Sequence, residues 1–501
     1  MPNTGKPSRD CHLCRSRRVK CDLARPECQR CIKYGTRCPG YRDGLVFRSQ
    51  LNLTNFRKRD KRPGTLEQST SPSTQSSSSL SLSSCPSLQA TDSVPRSMHQ
   101  HWTLHSIPIF LNVYSTLPFF YDMYRNIGDG PLVSATHLFS RAYVTVLRQP
   151  TAKYNKSVIE NDRELTTHLG KTLTSVRFAL TQPGGAYRDD LLATIWILAN
   201  YELLVGSGGR AGQSRPWNLH TRGLYGILKI RGSEWLRMNT SRTVFWPALN
   251  MAQIQSLSSN TECPQELEEW FAIIREKMPP QEAMVLYVSS FIFKACQVQA
   301  RIFKILSSCD YNAAMIAFYD IVASIRDARQ ELRAFAESPR TAIGLFDTYM
   351  GNLYAGTCIK VYSLLMALVC FLSHQRPLSI PFNVLWSTRN DCINIAQNSA
   401  QNVLDTLPRA LDTKAGPGMS PKTFFDAVKL VWPLRTIHAM PATSPEQKRI
   451  AAKTLVFLGR DIGLKQALNI YADFYEPLPL EARTILEVDG DPLDELERVI
   501  S

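Results

Sequence analysis

Six cysteines near the start of the chain have the types and spacing of a metal site. They are Cys11, Cys14, Cys21, Cys28, Cys31 and Cys38. The spacing C-x2-C-x6-C occurs twice, as one half-motif followed by a second copy. A C-x2-C pair directs two thiolates at one metal ion, and this is the commonest spacing among zinc ligands. We therefore predict a zinc-binding module over residues 11–38.

The number of sulfurs predicts how the metal is shared. Two tetrahedral zinc ions offer more ligand positions than six thiolates can fill, unless two of the thiolates bridge both ions. Cys11 and Cys28 are the first cysteines of the two halves, so the repeat makes them the expected bridges. His12 lies inside the first pair, but six thiolates suffice and we do not expect it to bind metal.

Basic residues fill the interval between Cys14 and Cys21. They are Arg15, Arg17, Arg18 and Lys20. Here the chain resembles the fungal Zn2Cys6 binuclear-cluster transcription factors. The family pattern C-x2-C-R-x-R-(K/R)-x-K-C-D, followed by R-P-x-C-x2-C, is matched from Cys11 to Cys31 and closes at Cys38.

The resemblance implies a DNA-binding role for these basic residues. In the family the first short helix enters the major groove over a CGG half-site. That places Arg17 and Arg18 at base-reading positions and Lys20 near the phosphates, with Arg15 in the same DNA-binding group. An arginine can pair bidentately with guanine O6 and N7.

Two other interpretations of the cysteines compete with this one. A disulfide framework would imply secretion, but the first ten residues, MPNTGKPSRD, contain no apolar segment of a signal peptide. A zinc-dependent protein-interaction adaptor that does not read DNA is the stronger alternative. The basic interval before Cys21 favours DNA binding over the adaptor.

The charge distribution agrees with a nucleic-acid-binding arm. The formal net charge is +15, yet residues 1–62 hold 17 Lys or Arg against 5 Asp or Glu, whereas the remainder holds 41 against 38. A basic end beside a nearly neutral body is typical of such an arm. Residues 39–63 are a basic connector, in which we predict a nuclear-localisation signal and hence a nuclear protein. That connector ends in Arg57, Lys58, Arg59, Lys61 and Arg62.

Composition then predicts the remaining segments. Residues 1–10 are expected to be a flexible tail. Residues 69–87 contain 11 Ser, and such a sequence cannot bury enough apolar surface to order itself, so we predict a disordered linker over 64–104. The longest uncharged apolar run, 361–373, is shorter than the ~20 residues of a bilayer-spanning helix, so no membrane is expected.

From residue 105 onward the apolar residues recur at three- and four-residue spacing. Examples are the series that begin at Leu192, Met284 and Ile321, the first of them preceded by Asp189 and Asp190. No series of alternating strands was found. We therefore predict that 105–501 is an all-α regulatory domain, and that the fold class of the whole chain is mainly α. The seven cysteines outside the repeat are expected to be mostly reduced core residues.

One stretch of this body shows a second resemblance. Trp217, His220, Gly223, Leu224, Leu228, Arg231 and Gly232 match the pattern W-x2-H-x2-G-(A/L)-x3-L-x2-R-G. This is similar to the fungal-specific transcription factor domain, which implies a regulatory role. Trp217 and His220 are expected to be packing residues, with a helix end at Arg231–Gly232.

Catalytic motifs are not apparent, and we predict that the chain is not an enzyme. The run from Gly206 to Ala211 fits a loose dinucleotide fingerprint, but the apolar run before it has a helical period, so a helix–helix loop is favoured. The terminal residues 487–501 interleave acidic and apolar side chains. An activation segment and a docked terminal helix both remain open for them.

The combined prediction is a zinc-dependent, sequence-specific DNA-binding transcription regulator with two structural zinc ions. Its expected partners are double-stranded DNA and transcriptional coregulators, and a homodimer remains open. Relatives with this layout often regulate a neighbouring biosynthetic gene cluster, which suggests a pathway-specific role. The zinc-dependent adaptor remains the alternative.

Overall fold

The chain divides into two compact units, Met1–Asp92 and Ser93–Ser501. The computed structural model describes residues 11, 13–14, 17, 19–24, 27–39, 103–115, 117–125, 130–148, 156–206, 216–237, 239–276, 278–336, 345–375, 377–411, 421–468 and 478–485. The predicted tail, the connector from residue 40 onward, nearly all of the predicted linker and the acidic C-terminal segment lie outside these ranges. No strand occurs in the described residues, and the mainly α prediction is confirmed.

The first unit is held by its cysteines. A helical turn at residues 13–14 follows Cys11, and a short helix, α1, spans Gln29–Lys33. All six cysteines are buried, and the partly buried Leu13 and Val19 pack against them. The described residues of this unit therefore have almost no hydrophobic core other than the sulfurs, as is usual for a module that depends on metal for its stability.

The second unit consists of long helices. In the described residues they are α2 (Thr103–Val113), α3 (Phe119–Arg125), α4 (Pro131–Arg148), α5 (Lys156–Thr181), α6 (Asp189–Val205), α7 (Pro216–Arg231), α8 (Asn239–Ser258), α9 (Glu266–Glu276), α10 (Ala283–Ser308), α11 (Tyr311–Ala336), α12 (Leu345–Ser373), α13 (Phe382–Ala410), α14 (Pro421–Ala439) and α15 (Pro445–Arg460). Helix α2 begins two residues before the predicted start at 105. Short 3-10 turns at 185–187, 234–237, 280–282, 465–468 and 480–482 connect or extend these helices.

The helices predicted from apolar spacing are confirmed as α6, α10 and α11. Asp189 and Asp190 form the first turn of α6, where carboxylates interact favourably with the helix dipole. Gly206 ends α6 in the left-handed conformation, with φ of 63° and its N–H donating to the Glu202 carbonyl. A Cβ at Gly206 would lie 2.6 Å from Cβ of Lys465, so this position requires glycine on two counts.

The predicted glycine loop thus follows a helix and not a strand. Residues 207–215 lie outside the described part of the chain, and α7 begins at Pro216. A dinucleotide fingerprint requires a strand before its first glycine. The helix before Gly206 agrees with the helix–helix interpretation of this segment.

Helix α12 lies at the centre of the second unit. It packs against α10, α11, α13 and α14. Two segments, Pro280–Ser308 and Thr348–Ser373, are long and apolar enough to cross a membrane, and 67% and 100% of their apolar windows are buried inside the protein. The sequence prediction counted only the uncharged run 361–373, because Lys360 interrupts a longer apolar segment. Burial by neighbouring helices accounts for the composition of both segments.

The cysteines of the body are mostly core residues, as predicted. Those at 263, 296, 358, 370 and 392 are buried with free thiols. Cys309 is exposed and ends α10 with φ of 52°. Cys85 lies outside the described residues.

The stretch that carries the second resemblance is α7, and its residues fix α7 to α6. Buried Arg231 donates to Asp189 Oδ1 at 2.7 Å and to the Ala186 carbonyl at 2.8 Å. His220 Nε2 lies 3.6 Å from Oε1 of buried Glu202, which connects the two helices at their other end. Gly232, with φ of 69°, follows the last residue of α7, where the sequence predicts a helix end.

Candidate metal centre and nucleic-acid interface

The six cysteine sulfurs form two overlapping groups of four. One group is Cys11, Cys14, Cys21 and Cys28, and the other is Cys11, Cys28, Cys31 and Cys38. In each group all the sulfurs lie within 4.8 Å of one another. Cys11 and Cys28 belong to both groups, and their sulfurs are 3.7 Å apart. This is the arrangement that two tetrahedral ions with two bridging thiolates require.

The backbone repeats the same hydrogen bonds in both halves. The N–H of Cys14 donates to Sγ of Cys11 at 3.4 Å, and the N–H of Cys31 donates to Sγ of Cys28 at 3.3 Å. Such bonds stabilise a sulfur that carries negative charge, and in each half the accepting sulfur belongs to one of the two shared cysteines. The two halves therefore prepare the bridging sulfurs in the same way.

A second pair of bonds closes each half. Val19 N–H donates to the Cys14 carbonyl at 3.0 Å, and Thr36 N–H donates to the Cys31 carbonyl at 3.1 Å. These two bonds are related by the same 17-residue offset that separates Cys11 from Cys28. The repeat seen in the sequence is therefore a repeat of backbone structure, which is why the sulfurs converge from both sides.

The donor set fits zinc. Burial and the neighbouring thiols raise the pKa of Cys14 to about 12, and burial likewise raises the pKa of Cys31. Thiols packed this closely cannot all ionise without cations among them, since thiolates repel one another. Two zinc ions would supply that charge, with all six cysteines as ligands.

One further contact joins the halves. The Asp22 carboxylate directly follows Cys21 and accepts from the N–H of Gln29, the first residue of α1, at 2.9 Å. The Arg37 guanidinium lies 3.7 Å from the Glu27 carboxylate but is 94% exposed, so this ion pair adds little stability. Zinc ions bound by the sulfurs would therefore supply most of the stability of the described part of this unit.

Residues 9–45 match the family described as the fungal Zn(2)-Cys(6) binuclear cluster domain. The matched segment contains all six cysteines of the two sulfur groups. This segment is a fungal binuclear cluster domain. Two zinc ions are characteristic of that family, and the predicted zinc cofactor is confirmed by the match and the sulfur geometry together. Neither the comparison with curated proteins nor that with solved structures found a match.

The family match bears on function as well as on metal. A binuclear cluster domain is the DNA-binding module of fungal transcription regulators, so the chain is a zinc-binding, DNA-binding transcription regulator of this type. The match covers residues 9–45 only. The likeness of the body to a fungal regulatory domain rests on the α7 motif and on the all-α fold, which is consistent with it.

The predicted DNA-contacting residues are only partly described. Arg17 and Lys20 are both exposed. The Arg17 guanidinium carbon lies 3.3 Å from the centroid of the Tyr34 ring. Arg15 and Arg18 lie outside the described residues, as does His12.

The binuclear cluster domain also carries a second basic group that was not predicted. Arg30 and Lys33 are exposed in the last turn of α1. Aligning the two halves with a 17-residue offset pairs Lys20 with Arg37 and Arg17 with Tyr34. That alignment is the sequence signal that could have directed attention to the second half.

Proposed function

We propose that the chain is a nuclear regulator that reads CGG-like half-sites in double-stranded DNA. In this proposal Arg17 and Arg18 contact guanine edges in the major groove, while Arg15 and Lys20 contact phosphates. The observation that carries it is the basic interval between Cys14 and Cys21, within a segment that matches the fungal binuclear cluster family. Charge at this position attracts DNA before any base is read.

The stacking of Arg17 supports its role as a base reader. A guanidinium held flat against an aromatic ring keeps the N–H groups at its edge available. Those donors match O6 and N7 of guanine, which is the commonest specific contact in the major groove. The exposed surface of Lys20 leaves its ammonium available to a phosphate.

A single module of this size makes a small interface with DNA. We therefore propose that the regulator binds as a homodimer over two half-sites, since one small module gives limited affinity. The all-α body would recruit coregulators and carries no proposed catalytic role. Control of one biosynthetic gene cluster is the pathway-specific form of this proposal.

The decisive experiment is site selection from random duplex DNA with the zinc-loaded full-length chain. We expect enrichment of CGG-like half-sites, which a chelator abolishes. The spacing of the enriched half-sites would also give the geometry of the dimer. Sequence-blind binding, or none, would favour the protein-interaction adaptor.

Two double variants separate base reading from general charge. Arg17→Ala with Arg18→Ala is expected to abolish the sequence preference and to leave the zinc content unchanged. Arg30→Ala with Lys33→Ala removes the same amount of charge from α1. This variant is expected to weaken binding to all DNA sequences equally and to keep the sequence preference. If the first variant still selects the same site, the assignment of the readers is wrong.

The nuclear assignment rests on the connector 39–63 and has its own test. Replacing Arg57, Lys58 and Arg59 with alanine in a fluorescent fusion is expected to move the protein from the nucleus to the cytosol. A matched fusion with Arg48→Ala alters one charge upstream of the cluster and is expected to stay nuclear. An unchanged distribution in the triple variant would remove the connector from the proposal.

A further inference from the structure

A cavity of about 410 Å³ lies inside the second unit, between α6, α7, α8, α12 and α14. Its volume falls in the range of small-molecule sites, roughly 300–1,000 Å³. Aromatic side chains from four of these helices line it, namely Trp196, Trp217, Tyr349, Phe425 and Trp432. A cavity with this lining suits a flat ring system, because aromatic rings pack well against one another.

Two indole N–H groups in this lining have no acceptor among the residues that the structure describes. They belong to Trp217 of α7 and Trp432 of α14, and both nitrogens are buried. Trp432 is only 9% exposed, and a Cβ at Gly356 would lie 2.4 Å from its Cζ3, so α12 fixes the ring from one side. Leaving a buried donor without a partner destabilises the protein, so a ligand that places an acceptor here would bind favourably.

The charged groups of the lining all lie on α14. They are Asp426, Lys429 and Arg435, which give two positive charges and one negative charge. Lys429 donates to Asp426 Oδ1 at 3.2 Å and lies 3.9 Å from the centroid of the Phe425 ring. An anionic group on a ligand would interact favourably with these two cationic side chains in a mostly apolar cavity.

We propose that this cavity binds an aromatic small molecule that carries one anionic acceptor group. The rings would lie among the tryptophans and Phe425, and the anionic group would accept from the Trp217 indole N–H and from Arg435. The inference concerns the body alone. It holds whether or not the binuclear cluster domain reads CGG-like sites.

A matched pair of fluorescent probes tests both parts of the proposal. The anionic probe is 8-anilinonaphthalene-1-sulfonate, and N-phenyl-1-naphthylamine has the same rings without the sulfonate. With the zinc-loaded full-length chain we expect one saturable site for each probe. The sulfonate probe should bind about tenfold more tightly, which is the affinity gain expected from one charge-assisted hydrogen bond. Absence of saturable binding by either probe would overturn the proposal.

Variants then locate the site. Ile254→Trp fills the cavity from α8 and is expected to abolish binding of both probes. Arg435→Gln is expected to remove the preference for the sulfonate and to leave binding of the neutral probe unchanged. Ile230→Trp is the control, because Ile230 is 60% exposed on α7 and does not line the cavity.

Folding is checked by thermal melting followed by circular dichroism. If Ile254→Trp melts early, Trp217→Phe decides the matter, because it removes one N–H without adding volume. We expect Trp217→Phe to lower the affinity for the sulfonate probe several-fold more than the affinity for the neutral probe. Equal affinities in Trp217→Phe and the unaltered chain, or unchanged binding in a folded Ile254→Trp, would exclude this cavity as the site.

Discussion

Arg17 and Tyr34 occupy equivalent positions in the two halves of the binuclear cluster domain, and they stack on each other. The guanidinium carbon of Arg17 is 3.3 Å from the centroid of the Tyr34 ring. Neither residue is a metal ligand, and both are exposed. The second half of the repeat thus supplies a platform for a proposed base-reading side chain in the first half.

Removing this platform should weaken DNA binding without affecting the metal. We expect Tyr34→Ala to lower affinity for the selected site about two- to fivefold, since an exposed cation–π contact contributes about 0.5–1 kcal/mol. Fluorescence anisotropy with labelled duplex measures the affinity, and metal analysis measures the zinc. Tyr34→Phe keeps the ring and should bind like the unaltered chain. Equal affinity of Tyr34→Ala would show that the stack does not position Arg17.

The shared sulfurs predict unequal effects of cysteine substitutions on zinc content. Cys28→Ser removes a ligand from both ions, whereas Cys38→Ser removes a ligand from only one. After dialysis against a competing chelator, we expect Cys38→Ser to retain about one zinc ion and Cys28→Ser to retain almost none. Elemental analysis of the dialysed proteins gives the counts. The same zinc content in both variants would contradict bridging by Cys28.

The buried contacts of Arg231 should matter for the stability of the body. We expect Arg231→Gln to lower the free energy of unfolding by about 2–4 kcal/mol, because Asp189 and two backbone carbonyls lose their donor. Urea denaturation measures this change. Arg222→Gln, at an exposed position of the same helix, should change stability by less than about 0.5 kcal/mol. A similar loss of unfolding free energy in both variants would mean that the positive charge on α7 stabilises the body and that the buried contacts of Arg231 do not.

Lys360 should make stability depend on pH in the alkaline range. Burial lowers the pKa of Lys360 to about 8 in the folded protein, against an ordinary value of 10.5. Between these pH values the unfolded chain binds more protons than the folded chain. The contribution of Lys360 to the free energy of unfolding therefore rises as the pH rises from 8 to 10.5. The destabilisation caused by burying its charged ammonium is greatest below pH 8.

Lys360→Met should remove this pH dependence. We expect the variant to be more stable than the unaltered chain at pH 7, by up to about 3 kcal/mol, and the difference to shrink toward pH 10.5. Denaturation curves of both proteins at several pH values measure the difference, in which titrating groups that do not interact with Lys360 cancel. A constant difference across this range would show that Lys360 keeps its ordinary pKa in the folded protein.

The metal centre could be predicted almost completely from the sequence. The spacing of the cysteines follows local turn geometry, and counting ligands identifies Cys11 and Cys28 as the bridges. The stack of Arg17 on Tyr34 could not be predicted in the same way. It depends on how the two halves pack once metal and backbone have brought them together, and no local spacing encodes that contact.

A polar face makes a helix of the body easier to predict from the sequence. Helix α11 has one, and its apolar residues recur with a clear period. Helix α12 is buried on all sides from residue 355 to 373, so it shows no such period there, and only its uncharged run 361–373 stood out in the sequence. The cavity was not predictable, because its lining comes from helices far apart in the chain and forms only when they pack.

The central place of α12 has a consequence for how the protein is made. The ribosome completes α2 to α11 before it reaches residue 345. The apolar face of α10 therefore emerges well before α12, which packs against it, and α14, which packs against another side of α12, emerges later still. At roughly 5–20 residues per second, residues 345–439 take on the order of 5–20 seconds to synthesise. During that interval the nascent chain exposes apolar helix faces that α12 and α14 later cover. Cellular chaperones are therefore expected to engage this chain late in its translation.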